Sequence, residues 1–132
     1  MIAFASAFSG FSVDDIDAAE GFYRDVLGAR EELQIHGEQG EKVTILDVGR
    51  ATLELSNRAQ VEMIDRVEVG RPVSPRLRFA FEVADAAAAT DRLVAGGAEL
   101  VAPPTVTPWN SVNSRLEAPA DLQLTLFEEL ES

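Results

Sequence analysis

Apolar and polar positions in this chain switch from a period of two to a period near 3.6, and they do so twice. Over residues 4–13 alternate positions share a face: Ala7, Ser9, Phe11 and Val13 on one side, Ser6, Phe8, Gly10 and Ser12 on the other. Ile16, Ala19, Phe22, Tyr23, Val26 and Leu27 then recur at helical spacing, predicting a helix whose apolar stripe packs on the first of those faces. Asp14 or Asp15 caps it by accepting unpaired amide hydrogens of the first turn, and Gly28 ends it in the left-handed conformation. About seventy positions later the switch recurs. Leu77, Phe79, Phe81 and Val83 alternate against Arg76, Arg78, Ala80 and Glu82, and a helix over 85–95 ends at Gly96 and Gly97.

Each strand–helix unit is followed by three more strands, over 31–35, 42–48 and 51–56 in the first copy and 98–102, 112–117 and 122–128 in the second. A polar turn, 36–41, joins the first pair, and a loop, 103–110, separates their counterparts. Between the copies lies a connector, 58–74, with a short helix expected over 59–64 and an extended stretch fixed by Pro72 and Pro75. The pattern predicts an α+β fold: a single domain, 1–132, of two βαβββ modules, 1–57 and 75–132, whose curved sheets enclose a cleft. The strand faces turned away from the helices line that cleft. They carry Thr52, Glu54 and Ser56 in the first module, and Gln123, Thr125 and Phe127 in the second.

Composition narrows the chemistry. The 132 residues are 46% hydrophobic and 26% charged, an ordinary balance for a globular domain. No apolar run reaches the roughly 18 residues of a membrane span, and no basic leader precedes the first strand. With no cysteine there is no disulfide, thiolate metal site or thiol nucleophile, and a cytoplasmic location is expected. The net charge of −12 disfavours nucleic acid and draws cationic ligands from a distance.

Two stretches carry a family resemblance. Phe11-Ser12-Val13-Asp14-Asp15-Ile16, with Phe22-Tyr23-Arg24-Asp25-Val26-Leu27-Gly28, resembles the opening module of the vicinal oxygen chelate superfamily, which holds glyoxalase I, extradiol dioxygenases and the fosfomycin- and bleomycin-resistance proteins. Pro108-Trp109-Asn110 through Arg115 to Ala118-Pro119 is similar to the end of bleomycin-resistance-like members. It departs from them at Asn110 and Asp121, where glycine is usual, and at Ala118, where aspartate is usual, so the last turn is expected to differ in shape. The resemblance implies the two-module fold, a small organic ligand and a homodimer.

It also implies four metal-ligand positions, which by register fall on Phe8, Glu54, Arg78 and Thr125. Of these only Glu54 is a strong ligand, whereas a catalytic divalent ion takes about three from imidazole, carboxylate or thiolate. Phenylalanine cannot ligate, and a guanidinium repels the ion. The lone histidine, His36, sits in or beside the polar turn. No metal cofactor is therefore expected. A buried Glu54 must be paired or neutralised, and Arg78 is the expected partner, with part of its guanidinium left to grip a ligand carboxylate or carbonyl.

Around that centre, Phe8 and Phe127 supply apolar surface and Trp109 either stacks on a flat ligand or anchors its loop. Thr52, Asn113 and Thr125 are polar contacts. Arg115 is either another or a surface partner of Glu117 or Asp121. The expected function is non-catalytic binding of a small organic molecule, cationic or heteroaromatic, as in drug-sequestering bleomycin-resistance-like proteins. The alternative is a glyoxalase- or dioxygenase-type enzyme, either metal-dependent or using Glu54 as a metal-free general base.

Overall fold

A computed structural model describes residues 4–131, and their side chains from Gly10 onward. The first module comprises β1 (Phe4–Ser12), α1 (Ile16–Glu20), β2 (Arg30–His36), β3 (Lys42–Asp47) and β4 (Thr52–Ser56). A connector helix, α2 (Arg58–Glu68), leads to β5 (Leu77–Val83), α3 (Ala86–Ala95), β6 (Glu99–Val106), β7 (Ser111–Ala118) and β8 (Leu122–Glu129). All eight strands form one curved open sheet in the order β2-β3-β4-β1-β5-β8-β7-β6. The modules repeat each other's pairing: β1 lies parallel to β4, β5 lies parallel to β8, and the two halves meet where β1 runs antiparallel to β5.

Where side chains are described, the helix-facing positions expected of the strands form the core. Phe11, Val13, Leu53 and Leu55 pack with Ile16, Ala19 and Tyr23 beneath the first helix, while Phe81, Val83, Leu116 and Leu126 pack with Ala86, Ala89 and Leu93 beneath α3. Asp15 and Asp85 cap the two helices identically, accepting from Ala18 and Ala88 at 3.0 Å. Gly28 takes the left-handed conformation after the first helix, with φ +90°.

Three elements differ from expectation. After Glu20 the first helix widens into a π-helical turn, Gly21–Val26, where Leu27 N–H bonds Phe22 C=O at 2.8 Å. That turn admits an extra residue, so a stripe read at 3.6 residues per turn slips round the helix. Phe22, Val26 and Leu27 accordingly lie exposed, and of the expected apolar stripe Ile16, Ala19 and Tyr23 pack against the sheet. The connector helix has eleven residues and is capped by Asn57, whose side chain accepts from Gln60 N–H and Lys42 N–H and donates to Gly40 C=O. Strand β6 runs straight through Pro103 and Pro104, in the stretch expected to be a loop. It is an edge strand with two register shifts, which is where proline is tolerated.

The last turn is Pro119–Asp121, a 3-10 turn with Ala120 at φ 69°. Asn110 and Asp121 both stand at positive φ, 65° and 56°. The backbone thus keeps the left-handed conformation at the two positions where the resembled family uses glycine. Asn and Asp are the residues that pay least for it after glycine.

Candidate functional site

The concave face of the sheet is roofed by α2, and between them lies a cavity of about 580 Å³. Its floor is the centre of the sheet. Glu54 on β4 is paired in register with Gly10 on β1, and Gly10 with Arg78 on β5, so the three residues form one row across the join of the modules. One wall is apolar and comes from the first module: Leu33 and Ile35 on β2, Val43 and Ile45 on β3. Trp109, Asn113, Thr125 and Phe127 close the other end, and Met63 and Ile64 point down from α2.

Glu54 and Arg78 face the same cavity but do not pair. No ion pair within 4.0 Å and no hydrogen bond joins them. Arg78 Nη1 instead donates to the hydroxyl of Thr125. The reason lies in the register: one strand stands between them, so their backbones are about 10 Å apart at a strand spacing of about 4.8 Å. Glu54 makes no hydrogen bond among the described residues. Burial pushes its carboxyl up to about 7, Arg78 pulls against that shift, and Glu32 adds to it. Burial likewise lowers Arg78 to about 10, helped by repulsion from Arg115 and opposed by Glu68, Glu54 and Asp65. At that value the guanidinium remains charged at neutral pH.

Arg115 belongs to a different structure. It is fully buried, neither on the surface nor lining the cavity, and it bolts α2 to the second module. Its Nη2 donates to Glu68 at 2.8 Å and its Nη1 to Asp65 at 3.1 Å, Ser74 at 3.0 Å and Gln123 at 2.9 Å. Asp65 also accepts from Ser74 N–H and Val73 N–H, and Glu68 accepts from Asn113 at 2.9 Å. Burial raises the Asp65 carboxyl, but the bonds from Ser74, Val73 and Arg115 outweigh it, and its pKa falls below the ordinary value.

Of the residues expected at the site, Glu54, Arg78, Trp109, Asn113, Thr125 and Phe127 line the cavity, and Thr52 and Arg115 do not. Thr52 lies two residues along β4 from Glu54, beyond the cavity. Phe8 lies in β1 between Thr52 and Ala80, and its side chain falls outside the described residues. The apolar wall of Leu33, Ile35, Val43 and Ile45 is signalled in the sequence by period-two alternation, which marks one face without saying that it lines a cleft. The α2 residues carried no such signal, because nothing local says which way a connector folds.

Of the four positions that the resemblance assigns to metal ligands, three have described side chains. Glu54 is a carboxylate, Arg78 a cation and Thr125 a hydroxyl already holding Arg78. No group of three or more His, Cys, Asp or Glu side chains among the described residues is placed to hold a metal ion. His36, at the end of β2, is exposed and outside the cavity. Among the described residues no helix is long and apolar enough to cross a membrane.

Comparisons with known proteins agree with this architecture. The structure resembles methylmalonyl-CoA epimerase from Mycobacterium tuberculosis (24% identity, TM-score 0.67, covering 99% of this chain and 94% of that one). It also resembles a Streptomyces coelicolor methylmalonyl-CoA epimerase variant in complex with 2-nitronate-propionyl-CoA (19% identity, TM-score 0.66, covering 99% and 100%). A glyoxalase/bleomycin resistance protein/dioxygenase superfamily member from Vibrio splendidus is similar at 14% identity and TM-score 0.62, covering 98% and 100%. At these identities the likeness speaks for the fold alone. No curated protein matches the sequence. Residues 7–126, nearly the whole chain, match one family model, and the chain belongs to the Glyoxalase/Bleomycin resistance protein/Dioxygenase superfamily.

Proposed function

We propose that the cleft binds a small organic molecule without a resident metal, as in the drug-sequestering members of the superfamily. The observation that carries this reading is the cavity's make-up: a guanidinium and an unpaired carboxyl on the floor, with apolar walls and a volume suited to a drug-sized ligand. Trp109 and Phe127 offer flat faces at one end for a heteroaromatic body. The net charge of −12 would speed the approach of a cationic one. A homodimer and a cytoplasmic location belong to the same reading. Exposed Phe22, Val26 and Leu27 are apolar surface that a second copy could cover, and sedimentation equilibrium checks it.

The test is a thermal-shift screen of chelator-treated protein against drug-like heteroaromatics, followed by elemental analysis of untreated protein. A ligand that binds only the native state raises the melting temperature. The expected result is stabilisation by part of the panel with no stoichiometric metal. Stoichiometric nickel, zinc, iron or manganese that disappears in Glu54→Ala would overturn it.

A second reading rests on Glu54 itself. An unpaired carboxyl in a cavity with its pKa near 7 is poised to exchange a proton at neutral pH. It could act as a metal-free general base on a C–H beside a carbonyl held by Arg78. Turnover that survives chelation and vanishes in Glu54→Gln would favour catalysis over simple binding.

A further inference from the structure

We infer that the cleft takes a molecule with an apolar body and one carboxylate, whose two oxygens bridge the space above Gly10 between Arg78 and Glu54. The inference rests on the cleft being the ligand site, and it replaces the cationic ligand suggested by overall charge with an anionic one.

The register carries the argument. Glu54, Gly10 and Arg78 stand abreast on three adjacent strands, and the middle residue has no side chain. The two polar heads therefore flank a gap on the cavity floor that neither fills. Arg78 uses Nη1 on Thr125 and has no other hydrogen-bond partner among the described residues, which leaves its remaining N–H groups for a ligand. A guanidinium offers parallel donors matched to the oxygens of a carboxylate. On the other side of the gap, Glu54 in its protonated form donates one hydrogen bond to the second oxygen. An ammonium in the same place would meet the Arg78 cation, and a neutral amide would gain only a weaker bond there.

Other charges facing the site do not supply a second cation. Glu54 feels Arg78 from β5 and Glu32 from β2. Glu41 beside β3, Glu68 on α2 and Glu129 at the end of β8 also line the cavity, and Glu68 is already committed to Arg115 and Asn113. Burial of Glu54 and the charge of Glu32 favour its protonated form against the pull of Arg78, and a bound carboxylate would favour it further. Binding is therefore strongest below pH 7 and weakens above it, down to the pH at which the ligand's own carboxylate protonates. The acidic surface slows an anion's approach, but that field is screened beyond about 8–10 Å at physiological salt.

Three naphthalene probes of matched shape test this by calorimetry: 1-naphthylacetate, 1-naphthylacetamide and 1-naphthylmethylamine. At pH 6 the acetate is expected to bind at least about tenfold tighter than either of the others, because only it meets the Arg78 charge. Its affinity should fall about tenfold between pH 6 and pH 8, following the protonated fraction of a group titrating near 7. Glu54→Gln keeps a donor and should abolish that pH dependence. Arg78→Met should abolish the preference for the acetate. Gly10→Val puts a strand-compatible side chain into the gap and should remove binding, while circular dichroism and the melting temperature show that the fold survives. Amine binding equal to or tighter than acetate, or acetate affinity unchanged in Arg78→Met, overturns the inference and leaves the small-molecule reading standing. If none of the three binds, the inference fails, and the wider thermal-shift panel separately decides whether the cleft is a binding site at all.

Discussion

The first module holds its hydrogen-bonded buried carboxylate, Glu20, behind the sheet; the second is held by two buried carboxylates of α2, Asp65 and Glu68, in front of it. Glu20 sits under the first helix, where Lys42 Nζ donates to it at 2.8 Å, Thr44 Oγ1 at 3.0 Å and Gln34 Nε2 at 2.6 Å. The cleft face of this module is apolar along β3, where Val43 and Ile45 stand opposite to Lys42 and Thr44, and carries one carboxyl, Glu54 on β4. The second module has the reverse arrangement. Behind its sheet lie Val83, Ala86, Ala89, Leu116 and Leu126, with the Thr90–Ser114 hydroxyl pair at 2.7 Å beside them. Its cleft face carries Asn113 and Arg115, which donate to Asp65 and Glu68 of α2, and Gln123, which accepts from Arg115 and donates to Val73 C=O and Glu117. One module thus supplies the apolar wall, and the other fixes the roof. Near-identical topology does not make a symmetric cleft.

The largest test of that contrast is Arg115→Met. It strands Asp65 and Glu68 beneath α2 without their counter-charge, and urea unfolding should show a loss of about 3–5 kcal/mol. Replacing Arg115, Asp65 and Glu68 together by apolar residues of similar size should recover most of it. Such recovery would show that the network determines where α2 sits more than how stable the protein is.

Glu20→Gln should cost less, about 1.5–3 kcal/mol at pH 7, since Lys42 keeps some access to water. Burial raises the Glu20 carboxyl, but hydrogen bonds from Lys42 and Thr44 and the charges of Lys42 and Arg24 prevail, and the net shift is downward. A lowered carboxylate stabilises the fold above its ordinary pKa of 4.5 and ceases to as pH falls through the folded value. Unfolding curves of Glu20→Gln and the parent should therefore converge in acid. A gap that persists at low pH would mean that packing, and not charge, ties the first helix down.

The smallest effect probes what the modules share. Asp15→Ala and Asp85→Ala should each cost about 1 kcal/mol, and by equal amounts, because the caps have the same geometry. A smaller loss at Asp15 in thermal melts would mean that the π-helical turn behind it already strains that helix.

Much of this architecture is legible along the chain. Strand faces follow from alternation in 4–13 and 76–83, the helix starts from Asp15 and Asp85, and the first helix end from Gly28. Glu54 and Arg78 are legible as cleft residues by the same parity. Their failure to pair is not, because it depends on Gly10 standing between them, a relation among three strands far apart in sequence. Phe22, Val26 and Leu27 mislead because a π turn leaves no clear mark in residue type, and one added residue rotates everything after it. Arg115 misleads in another way. A charged residue alternating in a late strand reads as surface until a helix from the connector brings two carboxylates onto it.

By itself, then, the sequence determines the repeated βαβββ unit and the face that each strand turns to the cleft. These follow from periodicity and residue chemistry, which act within a few residues of one another. Tertiary structure alone decides which module edges join, where α2 lies, and that a carboxyl and a guanidinium flank an open gap. Each of those depends on cross-strand register and on which buried charges find partners, and the energy of a buried charge is fixed by neighbours that the chain brings from elsewhere.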